Sequence, residues 1–109
     1  MEKKEYTLVT KENKKYFQRD FSAWLDKRYP NVNGSDIIAY NVMYSISQGC
    51  EININDLILK KVNIDQYEDE YIKRFEGLGR KNARGHAHIQ RECAKYFIEF
   101  VEEEFYPIS

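Results

Sequence analysis

Apolar side chains recur at helical spacing along most of this chain, and this pattern restricts the fold more than any other feature of the sequence. In the first such segment they stand at i, i+4, i+7 and i+8, as Phe17, Phe21, Trp24 and Leu25. A later segment repeats the period with Ile64, Tyr67, Tyr71 and Phe75. Each set would line one face of a helix. Only residues 3–9 and 50–54 suit extended structure, so the sequence predicts an all-α domain, a single orthogonal bundle of four to five helices.

Capping and turn residues place the boundaries of these helices. Helices are predicted over residues 10–28, 35–49, a short stretch after 55, 63–76 and 81–104. Thr10 and Ser35 are the predicted N-caps of the first two. Pro30 ends the first helix, since proline disfavours helix in the residue before it. Gly77 and Gly79 are predicted to end the fourth.

Length and charge bound the classes of protein that this chain can belong to. Its 109 residues form one domain, residues 1–109, with one modest core. We expect tails at 1–9 and 106–109 around a bundle at 10–105. The formal net charge is −1, so affinity for nucleic acid would depend on local patches. No apolar run reaches the ~20 residues of a membrane span, and no signal-peptide core is recognisable at the start. We therefore expect a cytoplasmic protein without a membrane partner.

The last predicted helix carries its charges against its own dipole. Residues 73–95, which lead into this helix and form its first half, contain seven Lys or Arg and two Glu, whereas four Glu crowd residues 99–104. Stability alone favours acids in the first turn of a helix and bases in the last. A cationic start suits a bound anion such as phosphate, because the free N–H groups of the first turn point at it. The bases form a stripe opposite the apolar face: Lys81, Arg84, His88, Arg91 and Lys95.

We interpret this basic stripe as a candidate surface for DNA phosphates, with His88 or Asn82 within reach of a base edge. An ordinary solvated face is the alternative interpretation, although solvated faces usually mix both signs of charge. A second stripe follows the first helix at Lys11, Lys15 and Arg19. Together the two stripes suggest a clamp on duplex DNA.

Histidines and cysteines do not have the spacing of a metal site. His86 and Cys93 share a predicted helix face, but His88 points elsewhere, and the sequence contains no Cys-x-x-Cys. We therefore expect no metal, a core position for His86 and Cys93, and reduced thiols at Cys50 and Cys93. The sequence also lacks a glycine-rich phosphate loop, a nucleophile elbow and a His-Glu-x-x-His motif. Neither enzyme activity nor a cofactor is expected.

The second predicted helix is apolar almost all round. One row consists of Ile38, Val42, Met43 and Ile46, and a separate row consists of Ile37, Tyr40 and Tyr44. Such a helix is either central in the bundle or half exposed as a partner site. We favour central burial, and the row of Ile37, Tyr40 and Tyr44 is the candidate partner interface if that expectation fails.

Several short motifs occur in the order found in a known DNA-binding domain. They are Phe-x-x-Trp-Leu at 21–25, then Ser35, Ile38 and Tyr40, then Ile54-Asn55-Asp56, Tyr67, the Gly-Arg-Lys-Asn linker at 79–82, and Tyr96, Phe97 and Phe100. Over residues 15–102 this pattern resembles the SAM-like core-binding domain, the N-terminal DNA-binding domain of tyrosine recombinases (phage integrases). The resemblance implies a SAM-like bundle whose first and last long helices grip DNA from one side. Those domains are commonly more basic, and the recombinase catalytic residues have no counterpart here, so no strand exchange is expected.

Two functional hypotheses follow. The first is a non-catalytic DNA-binding module, an accessory or regulatory protein of a mobile element, which binds duplex DNA through both basic stripes. The second is a small phage or mobile-element protein that binds and inhibits a host protein such as an immune nuclease. In that case the acidic patches at 65–70 and 99–104 would imitate nucleic acid, and Tyr40 and Tyr44 would contact the partner. We also expect weak homodimerisation through the tyrosine row or the tail at 106–108.

Overall fold

Five α-helices make up the computed structural model, which describes residues 3–47 and 52–108. They are α1 (Lys14–Arg28), α2 (Ser35–Ser47), α3 (Ile54–Ile58), α4 (Ile64–Gly77) and α5 (Ala83–Glu104). The all-α prediction is confirmed, and β-type pairing within the described residues is limited to one bridge between Lys4 and Phe105. The predicted helix end at Gly49, and Cys50, lie outside the described residues. Among the described helices, none has the length and apolar character required to cross a membrane.

Side-chain caps explain where α3 and α4 begin. The side chain of Asn53 accepts hydrogen bonds from the N–H groups of Asn55 and Asp56, and the Asp56 carboxylate accepts one from the Asn53 N–H. Asn63 and Gln66 exchange the corresponding bonds at the start of α4. These reciprocal bonds satisfy N–H groups that have no partner inside the helix. The start predicted for α4 is therefore correct to within one residue.

The predicted caps of α1 and α2 have other roles. The Thr10 N–H donates to Asn13 Oδ1 at 2.7 Å and the Asn13 N–H donates to Thr10 Oγ1 at 3.3 Å. This exchange closes a turn, and α1 begins only after it, at Lys14. Ser35 is the first residue of α2, and its hydroxyl donates to the Asp26 carboxylate at 2.7 Å. The serine therefore ties α2 to α1.

Aromatic rings from α1 and α5 form the centre of the core. Phe97 is fully buried, and the ring centroids of Phe21 and Phe100 lie 5.2 and 5.7 Å from its own. Trp24 meets Phe100 edge-on at 5.7 Å. Edge-to-face and tilted pairs of this kind are favoured by the ring quadrupoles. Around this centre α2 packs on α1 and α5, and α4 packs along α5.

The segment that precedes α1 is non-helical, as predicted, but it is docked on the bundle. Val9 is only 2% exposed, and Lys4 forms the β-bridge with Phe105. The Tyr6 hydroxyl and the Val9 N–H both donate to Asn55 Oδ1 at 2.9 Å. Burial raises the pKa of the Tyr6 phenol. This segment therefore contributes to the core and links α3 to the end of α5.

The central burial expected for α2 is wrong for one of its sides. Val42 and Met43 are buried, but Ile37 is 61% exposed and Tyr40 is 52% exposed. The reason is geometric. The helices that pack on α2 are α1, α3 and α5, and within the described chain they leave the side with Ile37 and Tyr40 uncovered.

Candidate nucleic-acid interface

The turn between α4 and α5 is the candidate site. Arg91 of α5 contacts Asp65 near the start of α4, whereas His86 near the start of α5 packs on Phe75 near the end of α4. The two helices therefore run antiparallel as a hairpin. We refer to residues 78–84 as the hairpin tip.

Glycine closes α4 and leaves the backbone of the turn open. The N–H of Gly79 bonds to the carbonyl of Glu76, and the N–H of Arg80 bonds to the carbonyl of Phe75, both at 3.0 Å. This pair of bonds is a Schellman motif, which requires the left-handed conformation found at Gly79, where φ is 69°. A Cβ atom at Gly77 or Gly79 would meet nothing within 4 Å. A large ligand can therefore approach this backbone closely.

The start of α5 is uncapped. Asn82 is left-handed, with φ 58° and ψ 43°, so the helix begins at Ala83, and Lys81, which was predicted to begin it, precedes it. The Asn82 side chain makes no capping hydrogen bond. It lies instead over Gly85, where a Cβ would stand 2.5 Å from its amide nitrogen. With no acid in the first turn either, the first N–H groups of α5 are available to an anion.

The cations of the hairpin tip are exposed. Arg80, Lys81 and Arg84 all reach solvent, and the ion pairs among the described residues involve other side chains. The Arg80 guanidinium lies 5.6 Å from the centre of the Phe75 ring, which holds it beside the turn. Glu76, at the end of α4, is the acid closest to the tip in sequence. The tip is therefore a cationic surface around an uncapped helix start.

The rest of the basic stripe lies beside carboxylates: this holds for His88, Arg91 and Lys95. Arg91 Nη1 is 2.8 Å from Asp65 and 3.5 Å from Glu68, and the Arg91 side chain is only 25% exposed. Glu92 lies 4.0 Å from a His88 ring nitrogen and 3.7 Å from the Lys95 ammonium. The α4–α5 hairpin therefore divides the predicted stripe into an open part at the tip and a part compensated by acids.

The second predicted stripe lies on the exposed side of α1 and the turn before it. Lys11, Lys15 and Arg19 are all exposed. The Lys15 ammonium and the Arg19 guanidinium lie 5.2 and 5.4 Å from the centre of the Tyr16 ring. Arg19 also pairs with Asp20 at 3.2 Å. This stripe is solvated but partly compensated by acid.

The contacts between α1 and α5 do not bring the two stripes together. Phe17 and Phe21 of α1 pack on Phe97. At 1.5 Å per residue, Phe97 lies about 20 Å along α5 from Arg84. The described contacts therefore place α1 at the far end of α5 from the hairpin tip.

The acidic patch at the end of α5 is engaged inside the molecule. Trp24 Nε1 donates to Glu103 at 2.8 Å, and the Tyr29 hydroxyl donates to Glu99 at 2.6–2.7 Å. The hydrogen bond from Arg28 lowers the pKa of the Glu103 carboxyl, and the bond to Glu99 raises the pKa of Tyr29. These acids fasten α1 to α5, which leaves less of the patch free to imitate nucleic acid.

His86 and Cys93, both predicted as core residues, differ in environment. Cys93 is buried, and this burial raises the pKa of its thiol. His86 is exposed beside the hairpin tip, with the centre of its ring 5.5 Å from that of Phe75. The core prediction is thus correct for Cys93 and wrong for His86. Among the described residues, no three His, Cys, Asp or Glu side chains are grouped as metal ligands.

The exposed row of α2 forms a second candidate surface. Ile37 and Tyr40 point to solvent, and the rings of Tyr40 and Tyr44 stack at 5.6 Å with an interplanar angle of 21°.

Arg80, in the hairpin tip, was not among the predicted binding residues because it precedes the helix predicted over 81–104. Its position between the helix-terminating Gly79 and the start of α5 was the feature of the sequence that could have identified it.

Comparisons with protein-family models, curated proteins and solved structures found no match to this chain. The resemblance to the core-binding domain of tyrosine recombinases therefore stays a prediction from the motifs.

Proposed function

We propose that this chain is a non-catalytic DNA-binding module that contacts backbone phosphates through its hairpin tip. The carrying observation is the contrast between the hairpin tip and the body of α5: Arg80, Lys81 and Arg84 are exposed without an ion pair among the described residues, whereas Arg91 is held by Asp65 and Glu68. The role that fits the motifs is that of an accessory or regulatory protein of a mobile element.

The chemistry of the tip suits a phosphate. Guanidinium groups bind phosphate oxygens through paired N–H donors, and Arg80 and Arg84 supply two of them. The uncapped N-terminus of α5 adds backbone N–H donors and the positive end of the helix dipole. Contacts of this type position a protein on a duplex without reading its sequence. We therefore propose backbone binding with little base specificity.

The expected salt dependence follows from the number of cations. Each neutralised phosphate contributes about 0.9 to the slope of log affinity against log salt concentration, so three contacts imply roughly a 40-fold loss of affinity between 50 and 200 mM salt. Changing Arg80, Lys81 and Arg84 to Glu should abolish retention of a short duplex at low salt. Fluorescence anisotropy with a labelled duplex measures both effects, and circular dichroism checks that the helices persist.

A variant with the same change of charge is the matched control. Replacing Lys11, Lys15 and Arg19 by Glu alters the net charge equally but leaves the tip intact, so most of the binding should survive. Equal weakening by both variants would show that overall charge, and not the tip, drives binding. A wild-type protein that fails to bind duplex DNA at about 50 mM salt would reject the proposal.

A second candidate function is recognition of a protein through the exposed row of α2, as for an inhibitor of a host protein such as an immune nuclease. The supporting observation is the exposure of Ile37 and of the stacked Tyr40 ring. Tyrosine supplies a large contact area at low entropic cost and is enriched at interfaces. The same surface is one of the two, together with the tail at 106–108, through which we expect weak homodimerisation.

Sedimentation of a surface variant tests whether this row of α2 also mediates self-association. Changing Ile37 and Tyr40 to Ser should remove dimerisation while altering the free energy of unfolding by no more than about 0.5 kcal/mol, because both side chains are already exposed. Tyr16 and Ile89, which are 50% and 53% exposed elsewhere, provide the matched Ser control. A constant monomer mass for the wild type over roughly a hundredfold range of concentration would remove the homodimer prediction.

A further inference from the structure

A cavity of about 590 Å³ lies at the opposite end of α5 from the hairpin tip. It is lined by the end of α3, the last turns of α5 and the residues that follow α5, and it opens to solvent. Its apolar wall includes Leu57, Ile58, Ile98, Val101 and Phe105. The volume falls within the ~300–1,000 Å³ of cavities that hold small organic ligands, and such cavities are mostly apolar with a few polar groups that orient the ligand.

The polar groups of this cavity are mainly cationic. Lys60 and Lys61 line it and are exposed, and the Lys3 ammonium lies nearby, 3.5 Å from the Glu102 main-chain oxygen. Among the described residues, Lys60 and Lys61 take part in no ion pair. Glu102 is the one acid in the lining. Two lysines against one acid in the lining, beside an apolar wall, suit a ligand with an anionic head and an apolar body.

The backbone conformation of Lys60 also favours an anionic ligand at this cavity. The Lys60 N–H bonds to the Leu57 carbonyl, and the Lys61 N–H bonds to the Asp56 carbonyl, so α3 ends in a Schellman motif. The motif puts Lys60 in the left-handed region, with φ 61°. The same motif ends α4 with Gly79, the residue type that adopts this conformation without steric cost. A lysine at position 60 is therefore less favourable for the fold than a glycine. Binding of an anion at the cavity mouth would account for the lysine.

We propose that this cavity binds a small organic carboxylate with an apolar body, such as a medium-chain carboxylate. The carboxylate lies at Lys60 and Lys61, and the apolar body enters between Leu57 and Val101. This site is independent of the hairpin tip, because α5 separates the two by about 20 Å. Failure of one assignment leaves the other untouched.

Titration with three ten-carbon probes tests the head group. Decanoate, decan-1-ol and decylammonium each have ten carbon atoms and differ in the charge of the head group, and each is used below its micellar concentration. Calorimetry should show one decanoate per chain, bound at least about tenfold more tightly than either other probe. Methyl NMR shifts should concentrate at Leu57, Ile98 and Val101. Equal affinity for decanoate and decanol, or no saturable binding of decanoate, would overturn the proposal.

A variant at the two lysines separates binding from folding. Lys60→Gly with Lys61→Gln should weaken decanoate binding at least about tenfold and leave decanol binding unchanged. The same variant should melt about 2–5 °C higher than the wild type, because glycine removes the left-handed strain. Lys27→Gln with Lys73→Gln removes the same charge from exposed positions on α1 and α4 and is the control. If the control weakens decanoate binding as much, the lysines at the cavity do not bind the ligand.

Discussion

Truncating Phe97 to Ala is expected to lower the free energy of unfolding by about 3–5 kcal/mol. The side chain is fully buried, and its ring meets those of Phe17, Phe21 and Phe100 at centroid distances of 6.2, 5.2 and 5.7 Å. The substitution removes apolar area from the core and leaves a cavity where rings of three other residues converge. Because small domains are stable by only about 5–15 kcal/mol, this single change should approach unfolding.

Urea denaturation measures this loss. Trp24, the only tryptophan of the chain, packs on Phe100 in the same cluster and reports its opening by fluorescence. Leu78→Ala, at a residue that is 50% exposed in the hairpin tip, is the control, and we expect it to cost about 1 kcal/mol or less. A loss below about 1 kcal/mol for Phe97→Ala would contradict the central position assigned to this ring.

Replacing Asn55 by Ala is expected to cost about 2–4 kcal/mol, although asparagine contributes little to an apolar core. Its Oδ1 accepts hydrogen bonds from the Tyr6 hydroxyl and the Val9 N–H at 2.9 Å, and its Nδ2 donates to the Val9 carbonyl at 2.8 Å. The alanine variant leaves these half-buried groups without partners and releases the segment before α1. Loss of hydrogen-exchange protection at Val9, together with a lower urea midpoint, would show this release.

Two further variants measure how much each hydrogen bond of Asn55 contributes to stability. Asn55→Asp keeps the acceptor oxygen but loses the N–H donor to the Val9 carbonyl. Its loss in free energy of unfolding should therefore be smaller than that of Asn55→Ala. Tyr6→Phe removes one hydroxyl, and we expect it to cost about 1 kcal/mol in the wild type and nearly nothing in the Asn55→Ala background. Additive costs would mean that the Tyr6–Asn55 bond does not contribute to stability.

The two proposed sites use opposite ends of one helix for different chemistry. The hairpin tip presents Arg80, Lys81 and Arg84 around an uncapped helix start, which suits phosphates. The C-terminal cavity presents Lys60 and Lys61 beside an apolar wall, which suits a small amphiphile. The Tyr6–Asn55 and Trp24–Glu103 hydrogen bonds hold the framework between them.

Local signals in the sequence predicted the helices because helix formation depends on neighbouring residues. The spacing of Tyr67, Tyr71 and Phe75 identified the buried face of α4, and all three are buried. The cap at Asn63 and the helix end at Gly79 depend on hydrogen bonds between residues only a few positions apart. The local sequence therefore contains the information for both. The opposition of the basic and apolar faces of α5 was predicted for the same reason.

Which of those faces remain available follows from the way the helices pack on one another. Arg91 is compensated because the antiparallel hairpin brings it to Asp65, 26 positions earlier in the chain. Val9 is buried because Asn55 binds it from 46 positions away. Tyr40 is exposed because α2 packs on α1 and α5 with its other side. The helices and their apolar faces follow from the local sequence, since an α-helix forms its backbone hydrogen bonds within itself. Their mutual placement depends on contacts between distant residues, and that placement left the hairpin tip open.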